Sequence, residues 1–139
     1  MRNFAPQIGE SMNLPHHISG EVVRGNRIGR QLGFPTANIR LGASDEVVNG
    51  VYAVRAVVDG ALRNGVASVG CRPTVTDNPE RFLEVYLFDF SGDIYGVTMK
   101  VELVAYIRAE RKFASVEALR QQIEEDKKTA EKILAEAAH

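Results

Sequence analysis

The chain has 139 residues, 45% apolar and 25% charged, and its 17 basic and 18 acidic residues leave a formal net charge of -1. That length suits one domain around a single core, and the even charge balance argues against a nucleic-acid or anionic-membrane footprint, so any phosphate must be met by a local site. A lone cysteine, Cys71, excludes an internal disulfide, and no apolar run approaches the roughly 20 residues of a membrane span.

Residues 1–17 carry Pro6 and Pro15 and have no apolar segment after Arg2. They read as a lead-in or interdomain linker, not a secretory signal, and the folded domain is expected over 18–139. "ISGEVV" (Ile18–Val23) reads as the first strand, followed by a long loop reaching about Asn38. "GVYAVRAVV" (Gly50–Val58) alternates, and Asp59-Gly60 favours a tight hairpin into the return strand Ala61–Gly70, with a break expected at Asn64-Gly65. "RFLEVYLFDF" (Arg81–Phe90) alternates as far as Asp89, where a twist or bulge is expected. Ser91-Gly92-Asp93 then turns the chain into Ile94–Arg108, one long strand or two short ones. Ser115 suits a helix N-cap. Val116, Leu119, Ile123, Ala130, Ile133 and Leu134 recur at the three- and four-residue steps of an amphipathic helix. Asp126 falls on or near that apolar stripe and needs a partner, Arg108 or Arg111. Five or six short strands and a terminal helix predict a closed barrel with the helix packed on it, because closure removes exposed sheet edges.

The first loop carries the clearest chemistry. Gly25, Gly29 and Gly33 let the backbone approach a bulky anion, and Arg24, Arg27 and Arg30 are interleaved with them. The combination suits a polyphosphate, although the spacing matches neither common glycine-rich phosphate motif, and a surface hairpin with solvated arginines stays open. Pro35 fixes its own φ. In an extended segment Thr36 and Asn38 point the same way. They are either two neutral oxygen ligands for a magnesium ion beside phosphate or the hydrogen-bonding groups of a local turn. Glu84 lies mid-strand on the face of Phe82, Tyr86 and Phe88. It is either an exposed strand residue or a positioned, desolvated general base. Cys71 is expected as a small buried residue, and Arg72 either contacts a ligand or caps a strand end. The basic residues of "RAERKF" (Arg108–Phe113) read as solvated linker charges. His16, His17 and His139 offer neither metal-ligand spacing nor a catalytic dyad.

"GNRIGRQLGFPTAN", "NGVYAV", "VGCRPT", "LEVYLFDFSGDIYG" and "RAERKF", in that order before a final helix, resemble the riboflavin kinase (flavokinase) domain. The likeness is greatest to the C-terminal module of bacterial bifunctional riboflavin kinase/FAD synthetase, and it covers nearly the whole chain from Ile18. The resemblance implies a mainly-β fold, a six-stranded antiparallel Greek-key barrel with a C-terminal α-helix packed on it. It implies ATP-dependent phosphorylation of riboflavin at the ribityl 5′-hydroxyl, giving FMN and ADP, with Mg²⁺ and with ATP as co-substrate. Under it, the Gly25–Asn38 loop is a flap over the nucleotide phosphates, with Gly25, Gly29, Arg30, Gly33, Pro35, Thr36 and Asn38 on ATP. Thr36 and Asn38 also hold the metal, Glu84 is the catalytic base, and Arg108 and Phe113 join Glu84 on the flavin side.

The sequence departs from the family's pattern at Val97, where a basic residue is expected. An FMN adenylyltransferase domain would precede Ile18, and 17 residues do not hold one. The expectation is therefore a standalone kinase or a module without that N-terminal domain, and no FAD synthesis. A cytoplasmic monomer with no nucleic-acid or membrane partner is expected. Two rival readings follow from the same residues. A non-catalytic flavin- or nucleotide-binding barrel has no need of Glu84 together with Thr36 and Asn38. A nucleic-acid-binding barrel would need the basic-aromatic stripe that this chain lacks.

Overall fold

The computed structural model describes residues 14–23, 36–42, 46–72, 80–90 and 94–137. Among these, six strands precede one helix: β1 (His16–Val23), β2 (Ala37–Arg40), β3 (Gly50–Val58), β4 (Ala61–Arg72), β5 (Glu80–Leu87), β6 (Thr98–Arg108) and α1 (Val116–Glu136). The strands close into an antiparallel barrel in the order β1-β2-β5-β4-β3-β6. β3, β4 and β5 form a meander, and β6 returns to lie beside β3, which makes the connection a Greek key.

Alternation decides the two faces. Leu83, Val85 and Leu87 of β5, Val54 of β3 and Leu103 of β6 point into the barrel, where all are buried in one core cluster. The opposite parity faces outward. There Val51 and Ala53 of β3, Val66 of β4 and Phe88 meet Ala130 and Leu134 of α1 in a second cluster. Burying each large apolar side chain contributes roughly 1.5–3 kcal/mol, so the helix stripe suffices to hold α1 on the barrel. The Ser115 hydroxyl caps α1 by accepting a hydrogen bond from the Ala118 N–H at 3.0 Å. At the other end the Arg55 Nη2 donates to the Leu134 carbonyl at 3.2 Å.

Several elements depart from the sequence reading. β1 begins at His16, where His16 and His17 pair with Leu103 and Glu102. The first loop yields to strand at Ala37, so Asn38 belongs to β2. The break expected at Asn64-Gly65 does not occur: β4 runs unbroken from Ala61 to Arg72. A Cβ on Gly65 would lie 2.4 Å from the Tyr86 carbonyl oxygen. Glycine therefore serves here to bring two strands together, not to part them. The β5 ladder ends at Leu87, and the expected irregularity appears as a turn with Asp89 at φ 54°. The segment from Ile94 divides: Ile94 is buried, Gly96 turns with φ 87°, and the strand proper begins at Thr98. Cys71, expected inside, is exposed, because β4 outruns the barrel core at its penultimate residue.

Candidate active site

In an antiparallel ladder, directly opposed residues show their side chains on the same face. Following those pairs from Asn38 draws one row around the outside of the barrel. Asn38 of β2 opposes Glu84 of β5, Glu84 opposes Ser68 of β4, Ser68 opposes Val51 of β3, and Val51 opposes Arg108 of β6. Neighbouring strands lie about 4.8 Å apart, so Asn38, Glu84 and Ser68 are immediate neighbours.

The sequence places Glu84 on the face of Phe82, Tyr86 and Phe88, and the register confirms that parity. Tyr86 packs edge-on against Phe88, with ring centroids 5.5 Å apart, and both belong to the surface beneath α1. Glu84 is half-buried, whereas Asn38 is only 2% exposed. Thr36, half-buried, precedes β2 by one residue, so it stands two positions before Asn38 at the entry to the strand. Asn38 and Glu84 are therefore brought together by the ladder. Ser68 joins them, and sequence reasoning missed it. The only signal was its place two residues from Gly70 in an alternating strand, which distinguishes no hydroxyl from any other. Gly25, Gly29, Arg30, Gly33 and Pro35 lie outside the described residues.

The far end of the row is anchored differently. The β3–β6 pairing shifts register between Val51, opposite Arg108, and Tyr52, opposite Tyr106, so Ile107 is an extra residue in β6. Such a bulge re-aims side chains: Ile107 packs into the cluster beneath α1, and Arg108 reaches the helix itself. Its Nε donates to Asp126 Oδ1 at 2.9 Å and its Nη2 to Oδ2 at 2.7 Å, a two-pronged pair, while Nη1 donates to the Ala109 carbonyl at 3.1 Å. Asp126 is 4% exposed, and Gln122 Nε2 also donates to its Oδ1 at 3.0 Å. Arg108, not Arg111, is thus the direct partner of Asp126. Arg111 instead donates to Gln122 Oε1 at 2.8 Å. Phe113 sits beneath both guanidiniums, 5.8 Å from Arg108 and 4.9 Å from Arg111, so the charges of this connection are not simply solvated. Arg108 and Phe113 bracket the β6–α1 connection, and neither lies beside Glu84 in the pairing.

A second carboxylate comes closer. Glu110 lies over Gly70, which opposes Phe82 and stands two residues from Ser68. Partial burial is the main cause holding its carboxyl above the usual carboxylate range, and the negative charge of Glu84 adds to the shift; Arg81 and Arg108 pull the other way. Arg81 is itself fixed, donating from Nε and Nη2 to Asn49 Oδ1 at 3.1 and 2.8 Å, and from Nη2 to the Val47 carbonyl.

Among the described residues, no group of three or more His, Cys, Asp or Glu side chains is placed to share a metal ion. The residue paired with Glu84 is instead Asn38, whose side chain offers a neutral oxygen. A neutral oxygen beside a carboxylate is chemically compatible with Mg²⁺, which takes few protein ligands and completes its shell with phosphate and water. No helix among the described residues is long and apolar enough to cross a membrane.

Comparison with known proteins bears on this geometry. The Flavokinase family, described as riboflavin kinase, matches residues 12–134. A bifunctional riboflavin kinase/FMN adenylyltransferase from Haemophilus influenzae is 47% identical over 126 residues, covering 89% of this chain and 41% of the relative. The chain thus spans about two fifths of that relative's length. Among solved structures, riboflavin kinase from Trypanosoma brucei superposes with a TM-score of 0.59 at 25% identity, covering 86% of this chain and 79% of that one. A Streptococcus pneumoniae structure named as a macrolide-efflux protein gives a TM-score of 0.74 at 36% identity, over 88% of this chain and 40% of that one. The shared six-stranded barrel with its C-terminal helix, and a family match over most of the sequence, establish that the chain belongs to the riboflavin kinase family.

Proposed function

We propose that the protein transfers the γ-phosphoryl group of ATP to the ribityl 5′-hydroxyl of riboflavin, giving FMN and ADP. The observation that carries this reading is the register: Glu84 stands directly between Asn38 and Ser68 on three adjacent strands. Phosphoryl transfer needs positioning and charge neutralisation more than covalent chemistry, and this row supplies groups for both.

In this reading the 5′-hydroxyl oxygen of riboflavin attacks the γ-phosphorus, the bond to the β,γ-bridging oxygen breaks, and ADP leaves. The hydroxyl proton passes to the Glu84 carboxylate, which orients the nucleophile before the transfer. Asn38 and Thr36 would hold Mg²⁺ beside the phosphates through their side-chain oxygens, and the ion would supply charge neutralisation there. Gly25, Gly29, Arg30, Gly33 and Pro35, which lie outside the described residues, are the proposed contacts to the nucleotide phosphates. Arg108, held by Asp126, and Phe113 bound the flavin side.

The names of the relatives support the substrates, and their bifunctional character suits a separate FMN adenylyltransferase domain beside this module; a cytoplasmic monomer is part of the same proposal. The domain boundary near residue 18 belongs to the same reading. Incubation with riboflavin, ATP and Mg²⁺, followed by chromatography, tests the activity. FMN formation that requires both ATP and the metal is expected. Riboflavin binding without FMN under varied metal conditions would replace this reading with the non-catalytic flavin barrel.

A further inference from the structure

Gly70 is an outward-facing position of β4, where a side chain is expected, yet an ideal Cβ built there would lie 2.1 Å from Glu110 Oε2 and 2.6 Å from both Glu110 Cδ and Oε1. The carboxyl group of Glu110 therefore occupies the volume that any larger residue at position 70 would fill. This seat adjoins Glu84 by construction, because Gly70 opposes Phe82 and Ser68 opposes Glu84 on the same two strands. The other ties of the β6–α1 connection lead elsewhere. Arg108 reaches Asp126, Arg111 reaches Gln122, and Phe113 lies beneath those two arginines. Of these ties, only Glu110 draws the connection back across β4 toward the base.

We propose that Glu110 is a positioning residue for the phosphoryl acceptor: lodged on the bare backbone of Gly70, it fixes the β6–α1 connection as the wall beside Glu84 against which the flavin packs. The inference rests on the acceptor hydroxyl being presented to Glu84, as proposed above. Any acceptor delivered to that carboxylate must fit alongside Glu110. The charges around the seat suit such a fixed post. Arg81 and Arg108 lie on the attractive side, and Glu84 is the like charge across the gap.

Gly70→Ala tests this without altering any charge. The atoms that its Cβ displaces are the far end of a flexible side chain, so the barrel is expected to fold and Glu110 to leave its seat. Glu110→Ala removes the post directly. Riboflavin affinity is measured by quenching of flavin fluorescence, alongside KM for riboflavin and for ATP. Each single variant is expected to raise the riboflavin Kd and KM about tenfold, the scale at which a misplaced contact is felt, with the ATP KM within about twofold of wild type. The two changes share one cause, so Gly70→Ala should add little in the Glu110→Ala background. Unchanged riboflavin affinity in both single variants, an equal loss for ATP, or fully additive effects would overturn the proposal. Wild-type protein that binds riboflavin but forms no FMN would remove the kinase reading while leaving this comparison decisive. Wild-type protein that does not bind riboflavin would remove both.

Discussion

Strand β5 presents one outward face to two different fates. Toward its C-terminal end Tyr86, followed by Phe88 just past the strand, lies beneath α1, against Ala130 and Leu134, in a dry cluster. Two residues before Tyr86, Glu84 lies outside that cluster, between Asn38 and Ser68. The alternation of side chains is the same along both stretches; what differs is the helix. α1 packs on β3, β4 and β6 and reaches β5 at Tyr86, whereas Asn38, Glu84 and Ser68 lie outside that apolar cluster. Apolar burial supplies stability at one end, and the other end holds the half-buried Glu84 carboxylate. Catalysis and stability should therefore separate cleanly along a single strand.

The largest test of that separation is Glu84→Gln. Loss of the base is expected to lower turnover roughly 10²–10⁴-fold, with nucleotide binding retained and the melting temperature close to wild type. Steady-state rates, nucleotide titration and a thermal melt check the three parts. A large loss of stability would mean that Glu84 belongs to the scaffold. The mirror experiment is Leu134→Ala, at the dry end. Leu134 is 1% exposed, and truncation of such a residue costs about 2–5 kcal/mol in transfer and cavity terms, read by chemical denaturation. The surviving folded fraction should keep its catalytic rate.

How far each end was legible follows from the same contrast. The helix end was open to sequence reasoning because apolar periodicity is local: Leu119, Ala130 and Leu134 announce one face, and Ser115 announces its cap. Glu84 could be singled out for the same reason, as a charge in an alternating apolar strand. Asn38 was singled out too, from its loop motif, but not its place beside Glu84. Asn38 and Ser68 become neighbours of Glu84 only through strand register, which joins β2 to β5 across two intervening strands of sequence. Ser68 carries no pattern of its own, and Glu110 is one acid among basic residues until Gly70 is seen beneath it. Gly65 misled because a glycine beside an asparagine usually signals a turn, whereas here it lets two backbones close. Arg108 was paired correctly with Asp126 only as one of two choices, and the bulge that aims it is invisible without the ladder.

Asp126→Ala, between the two ends, asks whether the bracket on Arg108 belongs to stability or to the site. The Arg108 side chain is 21% exposed and that of Asp126 5%, so part of the lost hydrogen bonding would be recovered from water. A loss of about 1–3 kcal/mol is expected, smaller than for Leu134→Ala, with riboflavin affinity weakened more than ATP affinity. Denaturation and flavin titration on one preparation separate the two effects. Ser115→Ala is smaller still. It removes the acceptor for the Ala118 N–H and should cost about 1 kcal/mol, with no change in either KM, since the cap touches neither end of the row.

The smallest expected effect has the opposite sign, and it bears most directly on the contrast. Burial, and then the charge of Glu84, hold the Glu110 carboxyl above its ordinary value of 4.5. The folded protein therefore binds that proton more tightly than the unfolded chain does. Where the folded state carries the extra proton, stability falls as pH rises. The decline begins near the unfolded value and is complete once pH has passed the raised folded one. At neutral pH the ionised Glu110 is thus a small net burden on the fold. Glu110→Gln removes the charge, so its melting temperature at about pH 7 should exceed that of wild type by a degree or so. The advantage should shrink as pH falls through the window and vanish below about pH 4. A variant less stable than wild type at neutral pH would show that attraction to Arg81 and Arg108 outweighs burial and Glu84, and would place Glu110 with the scaffold. A variant more stable yet weaker for riboflavin would place it with Glu84, at the end of the strand where the molecule gives up stability for position.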